Sequence, residues 1–341
     1  MEQFSQFVTH VDNMVWSMVL VLLCLGVGLY LSLRMRFPQI RLLREMVRLL
    51  TDREKCKSDG ITPFQSFAAT VGARVGMGNI AGVASAIFYG GPGSVFWMWI
   101  IALISAVSAY AESALAQAYK VRNADGTYQG GPAYYIEKGL MCKPYASLFA
   151  VVAFLGPGLL MPGVQINSLV TVFEEAFSVS RIVVGLICCL ILGIVVYGSI
   201  AKLAELLAPL MSSMGSWTGK LLAVIIVLFV FTSMTGYCYQ AESNVRYLTG
   251  NSKLAVGIGR AIFLSASFLG AVVDADVMWA MGDIGYGLMA WANIIAIALL
   301  APKASALLED YEKQKKQGKD PAFYPERFGI KDETGAWKKE G

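Results

Sequence analysis

The chain has 341 residues, of which 56% are hydrophobic and 15% charged, with a mean hydropathy of +0.56. Soluble domains carry about 25% charged residues, so this is the composition of a polytopic membrane protein and excludes a soluble enzyme domain. The net charge of +4 is no nucleic-acid signal, because the basic residues collect between apolar segments and toward the C-terminal end.

The six cysteines (Cys24, Cys56, Cys142, Cys188, Cys189 and Cys238) show neither metal nor redox spacing. Most lie in or at the ends of apolar segments, where free cysteine behaves as a small hydrophobe. No disulfide framework and no cofactor are expected. The first long apolar run lacks the basic flank and small-residue cleavage site of a signal peptide, and reads as a retained span.

A spanning helix needs about 20 apolar residues. Eight stretches meet that length, near 14–35, 65–89, 93–119, 146–171, 182–204, 217–238, 256–274 and 277–301. They predict an all-α transmembrane domain over 14–301, flanked by a polar external segment over 1–13 and a basic cytoplasmic tail over 302–341. His10, the only histidine, reads as a solvated residue of that first segment.

The second span contains the most unusual stretch, TVGARVGMGNIAGVASAIFYGGPG over 70–93. Each glycine costs a helix interior about 1 kcal/mol relative to alanine. A membrane helix holding Gly72, Gly76, Gly78, Gly82, Arg74 and Asn79 is either packed very tightly through small residues or locally unwound. Unwound membrane helices point to transporter binding sites. Their free N–H groups suit an anion such as a carboxylate, and their freed carbonyls, with nearby hydroxyls, suit a hard cation. Glycine at 76 and 78 allows close approach, so the expected ligand is a small zwitterion with a cation.

Polar and ionisable residues inside later spans are functional candidates by default. In the third span, Glu112 has a structural reading, an ion pair with Arg74 or Lys120. In the fourth, Gln165 and Asn167 follow a helix disrupted by Gly156-Pro157-Gly158 and Pro162-Gly163. These two amides could either meet a polar ligand or knit helices together. In the sixth, Thr232 and Ser233 are consecutive hydroxyls at mid-depth, either cation ligands or partners of their own backbone. Asp283 in the eighth could cap or pair, and Trp97, Trp99 and Trp279 read as interface anchors.

Lysine and arginine counts orient the loops. Eight fall between Arg34 and Lys57, placing that loop inside and the N-terminal segment outside. Five spans then alternate without conflict, but simple continuation would put the basic C-terminal segment outside. An odd number of crossings is therefore missing between about Glu205 and Trp217, or else positive charge does not decide the orientation. The twelve residues from Leu206 to Trp217 would reach only about 18 Å as a helix.

Gly76-x-Gly78-x-x-Ala81 superficially matches a dinucleotide fingerprint but lies in an apolar helix without the required strand. No P-loop, nucleophile elbow or zinc-protease motif occurs. The chain is not expected to be an enzyme.

Several stretches closely resemble the alanine/glycine:cation symporter family: ITPFQSF at 61–67, ARVGMGNIAGVASAI at 73–87, GGPGSVFWMW at 90–99 and YAESALAQAYKVRNADGTYQGGPAYYI at 110–136. GVQINS at 163–168, LFVFTSM at 228–234, ESNVRYL at 242–248 and GDIGYGLMAWANIIA at 282–296 continue the resemblance. It implies a leucine-transporter-like inverted repeat of five plus five helices after one extra helix. It also implies sodium-coupled uptake of alanine or glycine across a prokaryotic plasma membrane. On this resemblance Gly76, Gly78, Asn79 and Gln165 face substrate, and Thr232 and Ser233 hold sodium. The pattern departs after LAPLM (207–211), which runs directly into SSMGSWTGKLL. There the family has three further helices, one of them broken and bearing an S-N-E-A-G-x-G motif. Two readings follow: a sodium:amino-acid symporter, acting alone or in association with an intact copy, or an internally deleted, transport-inactive membrane protein.

Overall fold

A computed structural model describes residues 2–51, 62–123, 126–197 and 217–337. The described residues are almost entirely helical, as composition predicts, with one two-stranded hairpin pairing Val121–Arg122 with Tyr128–Gln129. Among them, five helical stretches are long and apolar enough to cross a membrane: Gln3–Arg34, Gly93–Ala118, Lys143–Glu175, Lys253–Val272 and Ala275–Lys316.

The helices, in chain order, are α1 (Glu2–Val15), α2 (Met18–Arg34), α3 (Pro38–Arg41), α4 (Leu43–Thr51), α5 (Pro63–Arg74), α6 (Ala81–Gly90) and α7 (Gly93–Ala118). They continue with α8 (Pro132–Leu140), α9 (Lys143–Leu155), α10 (Met161–Phe177), α11 (Arg181–Tyr197), α12 (Trp217–Thr249), α13 (Lys253–Val272) and α14 (Ala275–Lys316).

The second span is interrupted between α5 and α6, the locally unwound of the two readings open to it. Three boundaries differ from expectation. The polar N-terminal segment is helical over Glu2–Val15, as α1. The sixth continues past Cys238 to Thr249. The eighth runs through Pro302 to Lys316, where Ala, Leu, Glu and Lys keep helix propensity high. The junction between Glu205 and Trp217 lies outside the described residues.

The chain divides into two compact units. The first comprises residues 1–15, 47–95 and 152–288. Its core is built by α10, α11, α12 and α13, where Ile166, Leu169, Leu192, Val230, Met234 and Phe263 are buried together. Small residues let the backbones meet, as membrane helices require without a hydrophobic driving force between them. A methyl group on Gly270 would collide with the backbone of Gly163, and one on Gly185 with Ala271. Between α9 and α10 the chain makes a π-type turn, Gly156–Leu160. Pro157 supplies no N–H there, and Gly156 lies directly against the backbone of Gly285.

The second unit comprises residues 16–46, 96–151 and 289–341. Lys303 Nζ donates to Tyr119 Oη (2.9 Å) and to the Gly139 carbonyl (3.2 Å), tying α14 to α7 and α8. The segment after α14 folds back rather than trailing away. Gln314 brackets Ala322 with two hydrogen bonds of 2.9 Å, and Phe323 packs edge-on to Trp337 at 4.5 Å. Lys120 lies over the Trp337 ring at 4.0 Å. Burial there lowers its ammonium pKa, against the opposing pull of Asp332.

Candidate binding site at a broken helix

The break is framed by ordinary helix chemistry on its first side. Thr62 caps α5 in a reciprocal box, its hydroxyl accepting from Gln65 N (3.0 Å) while Gln65 Oε1 accepts from Thr62 N (2.8 Å). Pro63 at the first helical position has the backbone angle a helix needs. The helix then stops at Arg74, Val75 is extended, and Met77–Asn79 form a single 3₁₀ turn before α6 begins. Two backbone glycines and an asparagine therefore open the helix rather than merely thinning it.

Side chains satisfy the freed backbone groups, as a bilayer demands. Asn79 Oδ1 accepts from Gly76 N at 3.0 Å, closing the turn from within. Ser233 Oγ on α12 donates to the Val75 carbonyl at 3.1 Å. Ser233 is fully buried. The helix donor at Gly76 is thus already engaged and is not an open anion site, contrary to the expectation that it would point into a cavity.

Gly76 is the meeting point. A methyl group there would lie 2.7 Å from Ser233 Oγ and 3.2 Å from each terminal atom of the Gln165 amide. Gln165, only 2% exposed, donates from Nε2 to Tyr237 Oη at 3.2 Å. Tyr237 packs edge-on against Tyr286, with ring centroids 6.1 Å apart. The break of α5, the start of α10, the middle of α12 and α14 thereby converge on one buried polar cluster.

Three predicted residues, Gly76, Gln165 and Ser233, are brought together. Gly78 and Asn79 are exposed beside them, and the space off Gly78 is open. Thr232 is exposed, its β-carbon side facing Gly72. Arg74 is exposed and makes no ion pair among the described residues. Glu112 lies in the second unit, in the electrostatic environment of Tyr135. Asp283 is exposed on α14, one turn before Tyr286. Asn167 resolves toward the helix-knitting reading, its Nδ2 donating to the Gly270 and Val273 carbonyls at 2.9 Å each. Those are end-of-helix carbonyls of α13 with no helical partner of their own.

Sequence reasoning missed Tyr237 and Tyr286. Tyr237 sits four residues after Ser233, on the same helical face, and that spacing is the signal that could have found it. The Val75 carbonyl has no side-chain signature at all.

Two oxygens, Val75 O and Ser233 Oγ, stand where a hard monovalent cation could exchange for the hydroxyl proton's present contact. No group of three or more His, Cys, Asp or Glu suited to a metal ion occurs among the described residues. Neutral oxygens beside a broken membrane helix are the equipment of a secondary transporter.

Comparison with known proteins specifies that class. The profile of the sodium:alanine symporter family matches residues 1–214 and, separately, 208–325. A Bacillus subtilis protein assigned as a sodium/proton-dependent alanine carrier, YrbD, is 33% identical over an alignment of 477 residues that covers 98% of each chain. GlnT of Bacillus subtilis, assigned as a sodium/glutamine symporter, is 31% identical, with 95% of this chain and 94% of GlnT covered. The sodium/proton-dependent alanine carrier protein of Bacillus sp. strain PS3 is 27% identical, with 84% and 96% covered. The chain belongs to the sodium:alanine symporter family, whose members are membrane transporters and not enzymes.

Proposed function

We propose that the chain is built to bind a small neutral amino acid, alanine or glycine, together with sodium at the Gly76–Gln165–Ser233 cluster, for symport. The observation that carries this reading is the convergence of Ser233 Oγ and the Gln165 amide on the glycine of the broken helix. Gln165 and the open space at Gly78 serve the amino acid, with Asn79 holding the turn in shape. Val75 O, Ser233 and Thr232 serve the cation. GlnT is assigned to glutamine, so the choice of small substrate rests on the lack of room around Gly76. In this reading the N-terminal segment is external and the basic C-terminal segment cytoplasmic, on the distribution of Lys and Arg.

A second reading is supported by three specific observations. The family profile matches in two stretches that meet at 208–214, and the alignment with YrbD extends over 477 residues against 341 in this chain. In addition, α5 has no buried residue, as expected of a helix that has lost a neighbour. On this reading three helices of a leucine-transporter-like inverted repeat are missing near the junction. The chain would then be transport-inactive by itself, or active only beside an intact copy.

Uptake of labelled alanine into proteoliposomes under an inward sodium gradient separates the two. Sodium-dependent accumulation supports the symporter. Background uptake by protein that still shows a sodium- and alanine-dependent rise in melting temperature supports a half-site without transport. The absence of both responses would overturn the assignment of the cluster as a binding site.

A further inference from the structure

The second unit contains a cavity of about 380 Å³ that the transport reading does not use. It opens between the Arg34 end of α2 and the Ser305–Gln317 stretch of α14. Its rim holds Arg34, Arg36, Arg41, Lys313 and Lys316 against Glu309 and Glu312. Of these cations, Arg41 is already committed, bound to Glu312 at 2.8 Å and to the Met35 carbonyl at 3.1 Å. Arg36, Lys313 and Lys316 are exposed and make no side-chain hydrogen bond or ion pair among the described residues. Arg34 spends one N–H on Ser305 (3.0 Å) and keeps the rest. The cavity therefore carries a surplus of unpaired positive charge.

Its backbone is shaped to present that charge. Arg36 and Phe37 both adopt left-handed conformations, with φ of 59° and 52°, which non-glycine residues seldom adopt without cause. The Phe37 N–H returns to the Ser32 carbonyl at 2.7 Å, fixing the reversal at the end of α2. Beside the cavity, the same segment exposes Leu33, Phe37, Ile40 and Leu43. Unpaired cations next to outward-facing apolar residues, at the end of a membrane helix, match an amphiphilic anion.

We propose that this cavity seats the phosphate of an anionic phospholipid, with its acyl chains lying along Leu33, Phe37 and Ile40. The headgroup bridges Arg36 to Lys313 and Lys316, joining the end of α2 to the last turns of α14. Free phosphate shares the headgroup chemistry but has no use for the apolar flank. A zwitterionic lipid would bring its own positive charge to a positive site.

The test uses the purified full chain, stripped of lipid and titrated with phosphatidylglycerol, phosphatidylcholine or inorganic phosphate while bound species are counted by native mass spectrometry. Phosphatidylglycerol is expected to bind preferentially. The variant R36Q/K313Q/K316Q is expected to lose about tenfold or more of that affinity, while R36K/K313R/K316R retains it. Equal binding of phosphatidylglycerol and phosphatidylcholine would overturn the proposal. So would unchanged binding by the glutamine variant, or a site filled by inorganic phosphate that phosphatidylglycerol cannot displace. The measurement is independent of transport activity.

Discussion

Ser233 donates its hydroxyl to the carbonyl of Val75 across 3.1 Å, from the middle of one helix to the open end of another. The Val75 carbonyl belongs to the residue that caps α5, with Gly76 between it and the 3₁₀ turn. Removing the hydroxyl with Ser233→Ala takes the side-chain donor from that part-buried carbonyl, at a cost of about 1–3 kcal/mol. The expected outcome is a lower melting temperature in detergent and loss of sodium-dependent stabilisation. Retention of that stabilisation would remove Ser233 from the cation site.

Gly76 and Gly78 are expected to respond differently to alanine. At 76 the new methyl group lies 2.7 Å from Ser233 Oγ, an overpacking that costs about 1–3 kcal/mol. At 78 the space is open, so Gly78→Ala should leave the melting temperature nearly unchanged. Alanine-dependent stabilisation lost in Gly78→Ala at unchanged intrinsic stability would identify Gly78 as a substrate contact. Unchanged stabilisation would assign it to backbone freedom alone.

Asn167 and Gln165 are neighbours on α10 with opposite duties. Asn167→Ala leaves the Gly270 and Val273 carbonyls unpaired and should destabilise by about 1–3 kcal/mol without altering the sodium dependence of any response. Gln165→Leu should reverse that pattern, with a modest loss of stability and loss of ligand response. Thermal melts at graded sodium and alanine concentrations check both.

Glu242 joins α12 to α13 by accepting from two arginines, Arg246 Nη2 at 2.6 Å and Arg260 Nη2 at 2.7 Å. Its side chain is 17% exposed and the arginines about 30%. Glu242→Gln removes the charge that compensates both and should cost about 2 kcal/mol, below the range for a fully buried pair because water still reaches the arginines. A melting temperature unchanged by the substitution would show that solvent already screens the cluster.

The position of the helix break was legible in sequence because glycine and asparagine disfavour helix locally, at Gly76, Gly78 and Asn79. Its partners were legible only in part. Ser233 and Gln165 are polar residues in apolar runs and stand out, whereas Val75 contributes a carbonyl that every residue possesses. Tyr237 looked like an ordinary membrane aromatic until Gln165 was placed against it. Helix ends were misjudged where hydropathy and helicity part company. The α12 helix continues into ESNVRYLT, and α14 passes Pro302 into charged residues, because polar side chains end a membrane span but not a helix. The short α1 was missed for the same reason, being helical without being apolar enough to span.

The crossing of α10 and α13 at Gly163 and Gly270 has a mechanical consequence. With backbone against backbone, no side chain intervenes to change rotamer and absorb a displacement. Asn167, one turn beyond Gly163, pins the same two helices a second time. Two attachment points make α10 and α13 a single lever, and Gln165 lies between them. A backbone displacement of α10 at Gln165 is therefore carried by α13 as well, so that on the proposed reading a ligand that moved one helix would move the pair.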